Sequence, residues 1–368
     1  MAKSITGILK RRSRGDGFLR QFSNGLQPHT EDVRIAPAII KEHQLVEGTL
    51  ISGAIQSTSK GTQLVSIDTI FGLPPQQFKE RIPFDRLLPV TPDERIPIGA
   101  NGNPAMRILE LFTPFGPGTR GLIVSPPKAG KTKLLEDLAA AIRFCQPQAL
   151  VFALLIDERP EEVTHFKRNV PATVLASSSD KDIRSHVNLV ELVLAYARTA
   201  LECGQDIYLL VDSLTRLSRA FNLNGTGSRR TMTGGLDARA LEIPRKFFGL
   251  ARKIEHGGSI TVIATVQVQT GSRMDDYIFE EFKSTGNCEI VLDRELAEAR
   301  IFPALNLMAS GTRREELLYS EDELSAIVRL RNLLLKRDAK TALRDVRQLI
   351  NQYPDNAQLL KSILTTTT

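Results

Sequence analysis

The sequence contains no tryptophan, and aromatic residues make up 6% of its 368 residues. Such a shortage of rings argues against a large platform for stacking nucleic-acid bases and leaves room for a small one. The three cysteines, Cys145, Cys203 and Cys288, lie far apart in the chain. An odd number of distant cysteines is typical of reduced core residues in a cytosolic protein rather than of a disulfide framework.

Long apolar runs are also missing. No stretch approaches the roughly 18 residues that a membrane-spanning helix needs, and the N-terminal MAKSITGILKRRSRG has no long apolar core of a signal peptide. The five histidines show no metal-ligand spacing, so we expect no structural zinc. These observations predict a cytoplasmic protein without a membrane segment. Its net charge of +6 is compatible with an anionic partner.

The most informative stretch is residues 121–132, GLIVSPPKAGKT. Residues 121–124 predict a buried strand, residues 125–130 a turn, and KTKLLEDLAAAIR an amphipathic helix that runs to about Phe144. This order is the setting of a phosphate-binding loop, in which backbone N–H groups and a helix N-terminus attract anions. We expect Lys131 to reach the outer phosphates of a nucleotide and the Thr132 hydroxyl to coordinate magnesium.

This loop departs from the general pattern G-x-x-x-x-G-K-[ST] at its first position, where Ser125 stands in place of glycine. Pro126 and Pro127 follow, and they cannot donate to phosphate because proline has no N–H. We expect the two prolines to stiffen the loop.

Residues 1–85 contain five short runs of strand type, SITGILK, GFLRQF, VRIAP, TLISGAI and LVSIDTI. Their spacing predicts an all-β domain, a small barrel of the oligonucleotide-binding kind. Phe18 could stack a base while Arg20 and the basic residues 10–14 contact phosphates. Alternatively, Phe18 belongs to the core and the basic run is a solvated terminus. These residues alone leave both interpretations open.

Residues 86–104 predict a proline-rich linker between this barrel and the next domain. Nine prolines lie between Pro74 and Pro117 inclusive. We expect them to keep this stretch extended and non-helical.

From about residue 105 to 320, apolar strand-like runs alternate with helical patterns. Strands are predicted at 149–156, 173–178, 207–211, 259–266 and 288–292, and a helix at 186–203. The alternation predicts an α/β domain with a doubly wound, mostly parallel sheet, whose ligands bind at the carboxyl ends of the strands. Residues 321–364 predict helices, the first with Ser320 and Glu323 as a capping box.

Two carboxylates fall at the ends of predicted strands. Asp212 ends the run IYLLVD and suits the acidic residue that holds magnesium through water. Glu158 follows the run ALVFALLI and can accept a proton from an attacking water. The alternative for Glu158 is membership of an acidic surface run, DERPEE.

Two loops rich in glycine, serine and threonine are candidates for gripping a phosphate backbone in a central channel. Residues 222–235 carry Arg230, and residues 269–275 carry Arg273. The alternative is that each is an ordinary exposed loop. Arg313, in SGTRRE, is a candidate for an arginine that a neighbouring subunit supplies to the transferring phosphate, which implies a ring.

Together these motifs resemble the bacterial transcription termination factor Rho family, whose members are hexameric, ring-shaped, RNA-dependent ATPases with a RecA-like core. The similarity covers about residues 5–330 and is densest over 119–317. It is carried by RGLIVSPPKAGKT, LIDERPEEV, LLVDSLTRLSRAFN, TGGLDARAL, PRKFFGLAR, GGSITVIAT, TGSRMDD, EEFKSTGN and FPALNLMASGTRREELL. It implies an OB or cold-shock-like barrel at 1–85, a RecA-like ATPase domain at 105–320 and a C-terminal helical segment at 321–368.

Matched position by position, the resemblance implies roles for individual residues. Glu158 takes the place of the catalytic base, Asp212 that of the magnesium-linked acid, and Arg313 that of the arginine finger. The implied contacts to ATP and Mg²⁺ come from Lys128, Ala129, Gly130, Lys131, Thr132, Lys133, Arg159, Asp212 and Phe302, which stacks on adenine. Arg159, Arg216 and Arg300 would couple the nucleotide to the subunit interface. The implied RNA contacts come from Phe18 and Arg20 in the barrel and from Arg230, Thr231, Gly271, Ser272 and Arg273 in the channel.

Three departures from the family stand out. The match begins near Met1, so we expect no helical subdomain ahead of the barrel. Asp16 stands where the family has an aromatic residue, and the family has another near Arg34, in the stretch EDVRIAP. Each lost stacking ring removes about 1–3 kcal/mol per base. After about residue 330 the chain diverges from the usual ending.

The resulting prediction is an enzyme that hydrolyses ATP at subunit interfaces while a homo-hexameric ring pulls single-stranded RNA through its channel and releases transcripts. RNA polymerase is a further candidate partner. The alternative is a nucleotide-binding paralogue that regulates other factors with little RNA-driven translocation. A rotary-ATPase subunit or a DNA helicase is disfavoured by the loop and arginine motifs.

Overall fold

The structure is a computed structural model that describes residues 3–59, 61–225, 235–237 and 239–365. Its N-terminal strands form a closed sheet. They are β1 (Lys3–Arg11), β2 (Gly17–Arg20), β3 (Val33–Ile35), β4 (Leu50–Thr58), β5 (Gly61–Leu64) and β6 (Thr69–Ile70). Because β1 pairs antiparallel with both β2 and β4, the sheet closes into a small barrel. The predicted barrel is therefore confirmed.

Two details of this region differ from the prediction. It is not all-β, because α1 (Pro37–Glu42) follows β3. Proline at the first helical position has its backbone angle already set for a helix, so the sequence PAIIKE starts one here. The run LVSIDTI is divided between the end of β5 and β6 rather than forming one strand.

The second sheet contains the remaining strands. They are β7 (Pro89–Val90), β8 (Arg120–Ser125), β9 (Leu150–Glu158), β10 (Thr173–Ser178), β11 (Asp206–Asp212), β12 (Arg252–Ile254), β13 (Ser259–Gln267), β14 (Cys288–Val291) and β15 (Gly311–Thr312). The order β10-β9-β11-β13-β8-β14 is parallel throughout, and β15 adds an antiparallel edge. The central strands are buried along almost their whole length, as parallel strands covered on both faces are. The predicted doubly wound parallel sheet is confirmed.

Of the remaining helices, the first packs against β6 of the barrel, and the others cover both faces of the second sheet or form the C-terminal segment. They are α2 (Pro75–Lys79), α3 (Pro104–Phe112), α4 (Lys131–Cys145), α5 (Pro160–Asn169), α6 (Ile183–Glu202), α7 (Leu214–Asn224), α8 (Glu242–Phe248), α9 (Arg273–Lys283), α10 (Arg294–Glu298), α11 (Glu321–Leu334), α12 (Ala339–Asn351) and α13 (Asn356–Thr365). The predicted capping box at Ser320 and Glu323 is present at the start of α11. Because α7 ends at Asn224, the first three residues of the predicted 222–235 loop are helical.

The sequence predicted that the proline-rich stretch is extended and non-helical throughout, and this prediction is wrong. Pro104 is the first residue of α3, and the Asn103 side chain accepts a hydrogen bond from the Ala105 N–H at 2.8 Å. Proline at this position costs the helix no hydrogen bond, so here it begins a helix instead of preventing one. Upstream, β7 pairs antiparallel with β12, which in turn pairs with β13. The connector therefore contributes a strand to the second sheet.

The barrel packs against α6 and the second sheet. The ring of Phe22 lies 5.7 Å from that of Phe152 and 5.8 Å from that of Tyr196, and Phe71 lies 5.5 Å from Tyr196. Gly48 has a φ of 84°, and a Cβ there would lie 2.3 Å from the backbone nitrogen of Tyr196. Only glycine permits this close approach. Barrel and sheet thus share one continuous apolar core.

Within the described ranges, no helix combines the length and the apolar character needed to cross a membrane.

Candidate functional site

The loop after β8 turns sharply into α4. Gly130 has a φ of 92° and lies directly before the first helical residue, Lys131, while Lys128 has a φ of 64°. Left-handed backbone at Gly130 favours glycine. The described backbone thus has the strand–loop–helix order that the sequence predicts for a phosphate-binding loop.

Lys131 joins two carboxylates at the carboxyl edge of the sheet. Its Nζ lies 2.5 Å from Asp212 Oδ2 and 3.4 Å from Glu158 Oε1. Both carboxylates are buried, with exposed fractions of 2% and 6%. Asp212 ends β11 and Glu158 ends β9, and these strands are neighbours in the sheet. The structure therefore brings together three residues that the sequence assigned to nucleotide chemistry.

This arrangement changes the proton affinity of Lys131. Burial alone lowers the pKa of its ammonium group, but the charges of Asp212 and Glu158 outweigh burial and leave the pKa raised above its ordinary value. Lys131 therefore carries its positive charge at neutral pH. A charged lysine at this place can attract the phosphates of a nucleotide.

Further side chains hold the two carboxylates in place. The Thr265 hydroxyl donates to Asp212 Oδ1 at 2.8 Å. Arg216, in the first turn of α7, lies with its Nε 3.4 Å from Glu158 Oε1 and donates from Nη1 to the backbone oxygen of Asp157. Thr265 was not predicted from the sequence, because nothing in the pattern of β13 marks the one threonine that faces Asp212.

One cavity gathers most of the predicted phosphate-side residues. Its lining includes Lys128, Lys131, Thr132, Glu158, Arg159 and Arg216. The cavity thus offers four basic groups, the Thr132 hydroxyl and the Glu158 carboxylate to a ligand, and Glu162 adds a second carboxylate. This combination suits a polyphosphate, since the cations neutralise charge and the carboxylate can accept a proton.

A second cavity of about 500 Å³ lies on the other side of the loop. It is lined by Ala129, Gly130, Lys133 and Phe302, all predicted to contact ATP. A Cβ added to Gly130 would lie 3.3 Å from the Phe302 ring, so the ring is directly beside the loop. Phe302 is 42% exposed. An exposed ring next to a phosphate-binding loop is a suitable surface for stacking a base.

The C-terminal helices also reach this cavity, through Arg347 of α12. They are fixed by Arg107 of α3, which is 6% exposed and donates to the Asn356 side chain and to the backbone oxygens of Ile350 and Tyr353 at 2.9–3.0 Å. Sequence reasoning missed both arginines, because the contacts join segments about 240 residues apart.

Two arginines assigned to the nucleotide or the subunit interface lie elsewhere. Arg313 is exposed and lines a separate cavity with Asn287 and Glu289, beyond β15 at the edge of the sheet. Arg300 is exposed and has a φ of 58°. Their positions leave them available to a neighbouring molecule, and their roles stay predictions.

Of the predicted channel residues, Arg230 and Thr231 lie outside the described residues. In the other loop, Gly271 is exposed with a φ of 76°, and Ser272 caps α9 by accepting from the Asp275 N–H. Arg273 is the exposed first residue of α9. The exposed arginine at a helix start suits a phosphate contact, which remains a prediction.

In the barrel, Phe18 is half-buried and lies outside the apolar core, so its ring belongs to the surface of β2. The Arg12 guanidinium lies 4.7 Å from the centroid of that ring. Arg20 is engaged in an ion pair with Asp32. Asp16 is paired with both Arg12 and Arg34. The hydrogen bond from Arg12 lowers the pKa of the Asp16 carboxyl to about 2.

Comparison with known proteins agrees with this geometry. Residues 5–76 match the Rho termination factor RNA-binding domain, and residues 105–312 match the nucleotide-binding domain of the ATP synthase alpha/beta family. Fold and site together therefore define a RecA-like ATPase with a phosphate-binding loop and an added RNA-binding barrel.

Proteins called transcription termination factor Rho are similar over nearly the whole chain. That of Borreliella burgdorferi is 44% identical over 363 residues, covering 98% of this chain and 70% of that protein. Those of Streptomyces coelicolor and Thermotoga maritima are 43% and 42% identical, covering 98% and 97% of this chain and 86% and 84% of theirs. The chain belongs to the transcription termination factor Rho family. The similarity extends beyond the 5–330 stretch that the sequence motifs had marked.

Solved structures share the fold at lower identity. An ATPase from the type III secretion system of pathogenic bacteria superposes with a TM-score of 0.62 at 23% identity, covering 76% of this chain and 87% of that one. The ATPase EscN of enteropathogenic E. coli gives a TM-score of 0.61 at 22% identity, covering 82% and 76%.

Proposed function

We propose that this protein is a Rho-type, RNA-dependent ATPase that couples ATP hydrolysis to movement along single-stranded RNA and so releases transcripts. The observation that carries the proposal is the contact of Lys131 with both Glu158 and Asp212 at the end of the phosphate-binding loop. Family membership and the matched RNA-binding domain support the coupling to RNA.

In the proposed reaction, Lys131 binds the outer phosphates of ATP and Glu158 accepts a proton from the attacking water. Glu158 is suited to this role because it is buried and because Arg216 and Lys131 hold one of its oxygens. Asp212 is fixed by Thr265 and stays beside Lys131. Lys128 and Arg159 line the same cavity and add positive charge for the phosphates.

The residues present fit magnesium as the second cofactor. The Thr132 hydroxyl and the Asp212 carboxylate are oxygen donors of the kind that Mg²⁺ prefers. Among the described residues, no group of three or more His, Cys, Asp or Glu side chains could hold a metal ion. Mg²⁺ at this place would therefore share the phosphate oxygens of ATP, as is usual for this ion. When bound, it neutralises charge on the transferring phosphate.

The proposed assembly is a homo-hexameric ring with ATP sites between subunits. The exposed position of Arg313, away from the cavity of its own chain, supports a role for it on the nucleotide of a neighbour. Arg273 and the segment with Arg230 and Thr231 would line the channel. A contact with RNA polymerase and a cytoplasmic location stay predictions.

The matched families support the proposed domain boundaries. We assign residues 1–85 to the RNA-binding barrel, 86–104 to the connector, 105–320 to the ATPase domain and 321–368 to the helical segment. Their limits are close to those of the two matches, at 5–76 and 105–312.

The test is ATP turnover by the purified protein with and without single-stranded RNA, in the wild type and in Glu158→Gln. We expect RNA to stimulate the wild type and the stimulation to weaken as salt rises. Glu158→Gln should lose turnover by about 10²–10⁴-fold, the usual worth of a positioned general base. ATP binding should persist in this variant.

The matched control is Glu161→Gln. Glu161 lies in the same acidic run but is exposed, and the lining of the phosphate cavity includes Glu162 rather than Glu161. Its turnover should equal that of the wild type. If RNA does not change the rate of ATP turnover, the second candidate function, a regulatory nucleotide-binding paralogue, is favoured. The Asp16 and Arg34 changes in the barrel are the observation that supports this candidate.

A further inference from the structure

Three charged side chains cluster on the barrel surface where the sequence predicts base stacking. Asp16 is 3% exposed, and its Oδ1 accepts from Arg12 Nε at 2.9 Å while its Oδ2 accepts from Arg34 Nε at 3.0 Å. We call these residues the Arg12–Asp16–Arg34 cluster. One buried carboxylate thus fixes the orientation of two guanidinium groups, and the cluster keeps a net positive charge.

The cluster lies beside Phe18, the barrel residue whose ring the sequence predicts as a surface for base stacking. Phe18 is directly opposite Lys10 on β1 and opposite Arg34 on β3, and directly opposed residues of antiparallel strands share a face. Arg12 completes the surroundings, with its guanidinium 4.7 Å from the ring centroid. Phe18 therefore lies between Arg34 and Lys10, the second of which is ion-paired with Glu47, and Arg12 covers its ring.

A base could stack on the covered face of Phe18 only after Arg12 had moved away. That movement would break the charge-assisted hydrogen bonds to Asp16 and the cation–π contact with the ring. The guanidinium groups keep donors for an external ligand. Arg34 is 41% exposed and uses Nε toward Asp16, and within the described part of the chain its Nη atoms have no hydrogen-bond partner. Exposed guanidinium N–H groups of fixed orientation match phosphate oxygens.

We propose that the barrel of this protein binds single-stranded RNA through backbone phosphates at Arg12 and Arg34, and that Asp16 prevents base stacking on Phe18 by holding Arg12 over the ring. This inference rests on the proposed function, because it concerns how the same RNA-binding domain selects its ligand. Binding at this site is then indifferent to base identity and strongly dependent on salt, since phosphate contacts carry no sequence information.

The test measures the affinity of the full-length protein for short, fluorescently labelled oligo-C, oligo-U and oligo-A. Arg273→Glu is used as the common background so that the predicted channel contact contributes little. We expect the three affinities to agree within about threefold and to fall together as salt rises. Phe18→Leu should change each of the three affinities by no more than about twofold, because the covered ring stacks on no base.

Two matched variants then separate the covering role of Arg12 from its charge. Arg12→Ala and Arg14→Ala each remove one cation from the same turn, and Arg14 is exposed without a side-chain partner among the described residues. Arg14→Ala should weaken binding to all three oligonucleotides equally. Arg12→Ala uncovers Phe18, so the three affinities should spread by at least about fivefold, the lower end of the worth of one stacked base. Asp16→Asn should produce the same spread while keeping Arg12.

The outcomes distinguish this inference from the proposed function. The inference would be overturned if the Arg273→Glu protein bound the three oligonucleotides with different affinities and Phe18→Leu abolished that difference. It would also be overturned if Arg12→Ala and Asp16→Asn left the three affinities as similar as before. If RNA still stimulates ATP turnover of the wild type in that case, the proposed function is supported although the inference about the barrel is overturned. Base-indifferent phosphate binding without any RNA stimulation would instead support the barrel site and overturn the proposed function. No RNA binding by any variant in the Arg273→Glu background would overturn the inference, and the proposed function would fall with it only if RNA also left ATP turnover of the wild type unchanged.

Discussion

Arg219 and Asp275 form a bidentate ion pair between α7 and α9. The guanidinium donates from Nε and Nη2 to both carboxylate oxygens at 2.6–2.9 Å, and Asp275 is fully buried. Thr270 adds a further hydrogen bond to Asp275 at 2.6 Å. Because α7 ends at Asn224, inside the predicted first channel loop, and α9 begins at Arg273 of the second, this pair connects the two segments assigned to RNA.

Breaking this pair should weaken the response to RNA. In Asp275→Asn, the carboxylate charge is lost, so the bidentate ion pair is replaced by at most a weaker hydrogen bond from Arg219 to the amide oxygen. The RNA concentration for half-maximal ATP turnover should rise by about tenfold, within the range for a residue that couples two sites. Turnover without RNA should stay close to that of the wild type, since Asp275 lies outside the phosphate cavity lining.

Asp276→Asn is the control for this prediction. Asp276 is the next residue of α9 and is exposed, without a side-chain partner in the described ranges. Its RNA dependence should match that of the wild type. Equal shifts in the two variants would mean that the negative charge of the α9 N-terminus matters, rather than the ion pair with Arg219.

The sequence predicted the positions of Glu158 and Asp212 correctly, because each comes after a run of apolar residues typical of a buried strand; their chemical roles stay predictions. Parallel strands end at a common edge, so the meeting of the two carboxylates followed from pattern alone. Arg219 and Asp275 could not be paired in this way, since many arginines and aspartates occur on neighbouring helices. Prolines misled the prediction at Pro37 and Pro104, where each begins a helix, because a single sequence does not tell a helix start from an extended segment.

The Asp16 ion pairs should stabilise the folded protein, and this stabilisation should change with pH only under acidic conditions, where it decreases as the pH falls. The Arg12 hydrogen bond, helped by Arg34, lowers the pKa of Asp16 to about 2 from an ordinary value near 3.8. A lowered pKa in the folded state adds stability that is complete above the unfolded pKa and is lost as pH falls toward the folded one. The difference in free energy of unfolding between the wild type and Asp16→Asn should therefore be constant above about pH 5 and shrink below about pH 4.

Urea titrations at a series of pH values, down to the lowest at which both proteins fold, measure this difference. Arg14→Ala serves as the comparison, because its exposed side chain has no ion-pair partner among the described residues. A difference for Asp16→Asn that changes between pH 6 and 8 would contradict the prediction, since the carboxyl is fully ionised there.

Removing Arg107 should detach the C-terminal helices from α3. Arg107→Ala leaves the backbone oxygens of Ile350 and Tyr353 and the side chain of Asn356 without their buried donor. The expected cost is roughly 3 kcal/mol in the free energy of unfolding, as for other buried groups that lose charged hydrogen bonds. Because α12 contributes Arg347 to the cavity beside Phe302, the KM for ATP should rise as well.

Denaturant unfolding and steady-state kinetics check this prediction. Arg344→Ala, an exposed position on α12, should change stability by no more than about 0.5 kcal/mol. If Arg107→Ala destabilises the protein but leaves the KM for ATP unchanged, the C-terminal helices have no part in the base cavity.

Arg313 should act on the nucleotide of a neighbouring subunit. Arg313→Ala alone should reduce RNA-stimulated turnover by about 10³-fold or more, the lower end for an arginine finger. In rings assembled from a mixture of Arg313→Ala and Glu158→Gln chains, some interfaces join an intact Arg313 to an intact Glu158. Such mixtures should recover turnover above either variant alone. An arginine that acts within its own chain would give no recovery, because each chain lacks one of the two groups.

The pairing of β7 with β12 has a consequence for the path of the RNA. Since the connector is hydrogen-bonded into the ATPase sheet and the barrel packs on α6, the barrel does not move around its ATPase domain on a loose tether. The distance from the Arg12–Asp16–Arg34 cluster to Arg273 is then set by the fold. An RNA strand held at both places would need at least the number of nucleotides that spans this distance, so the fold sets a minimum length for the segment between them.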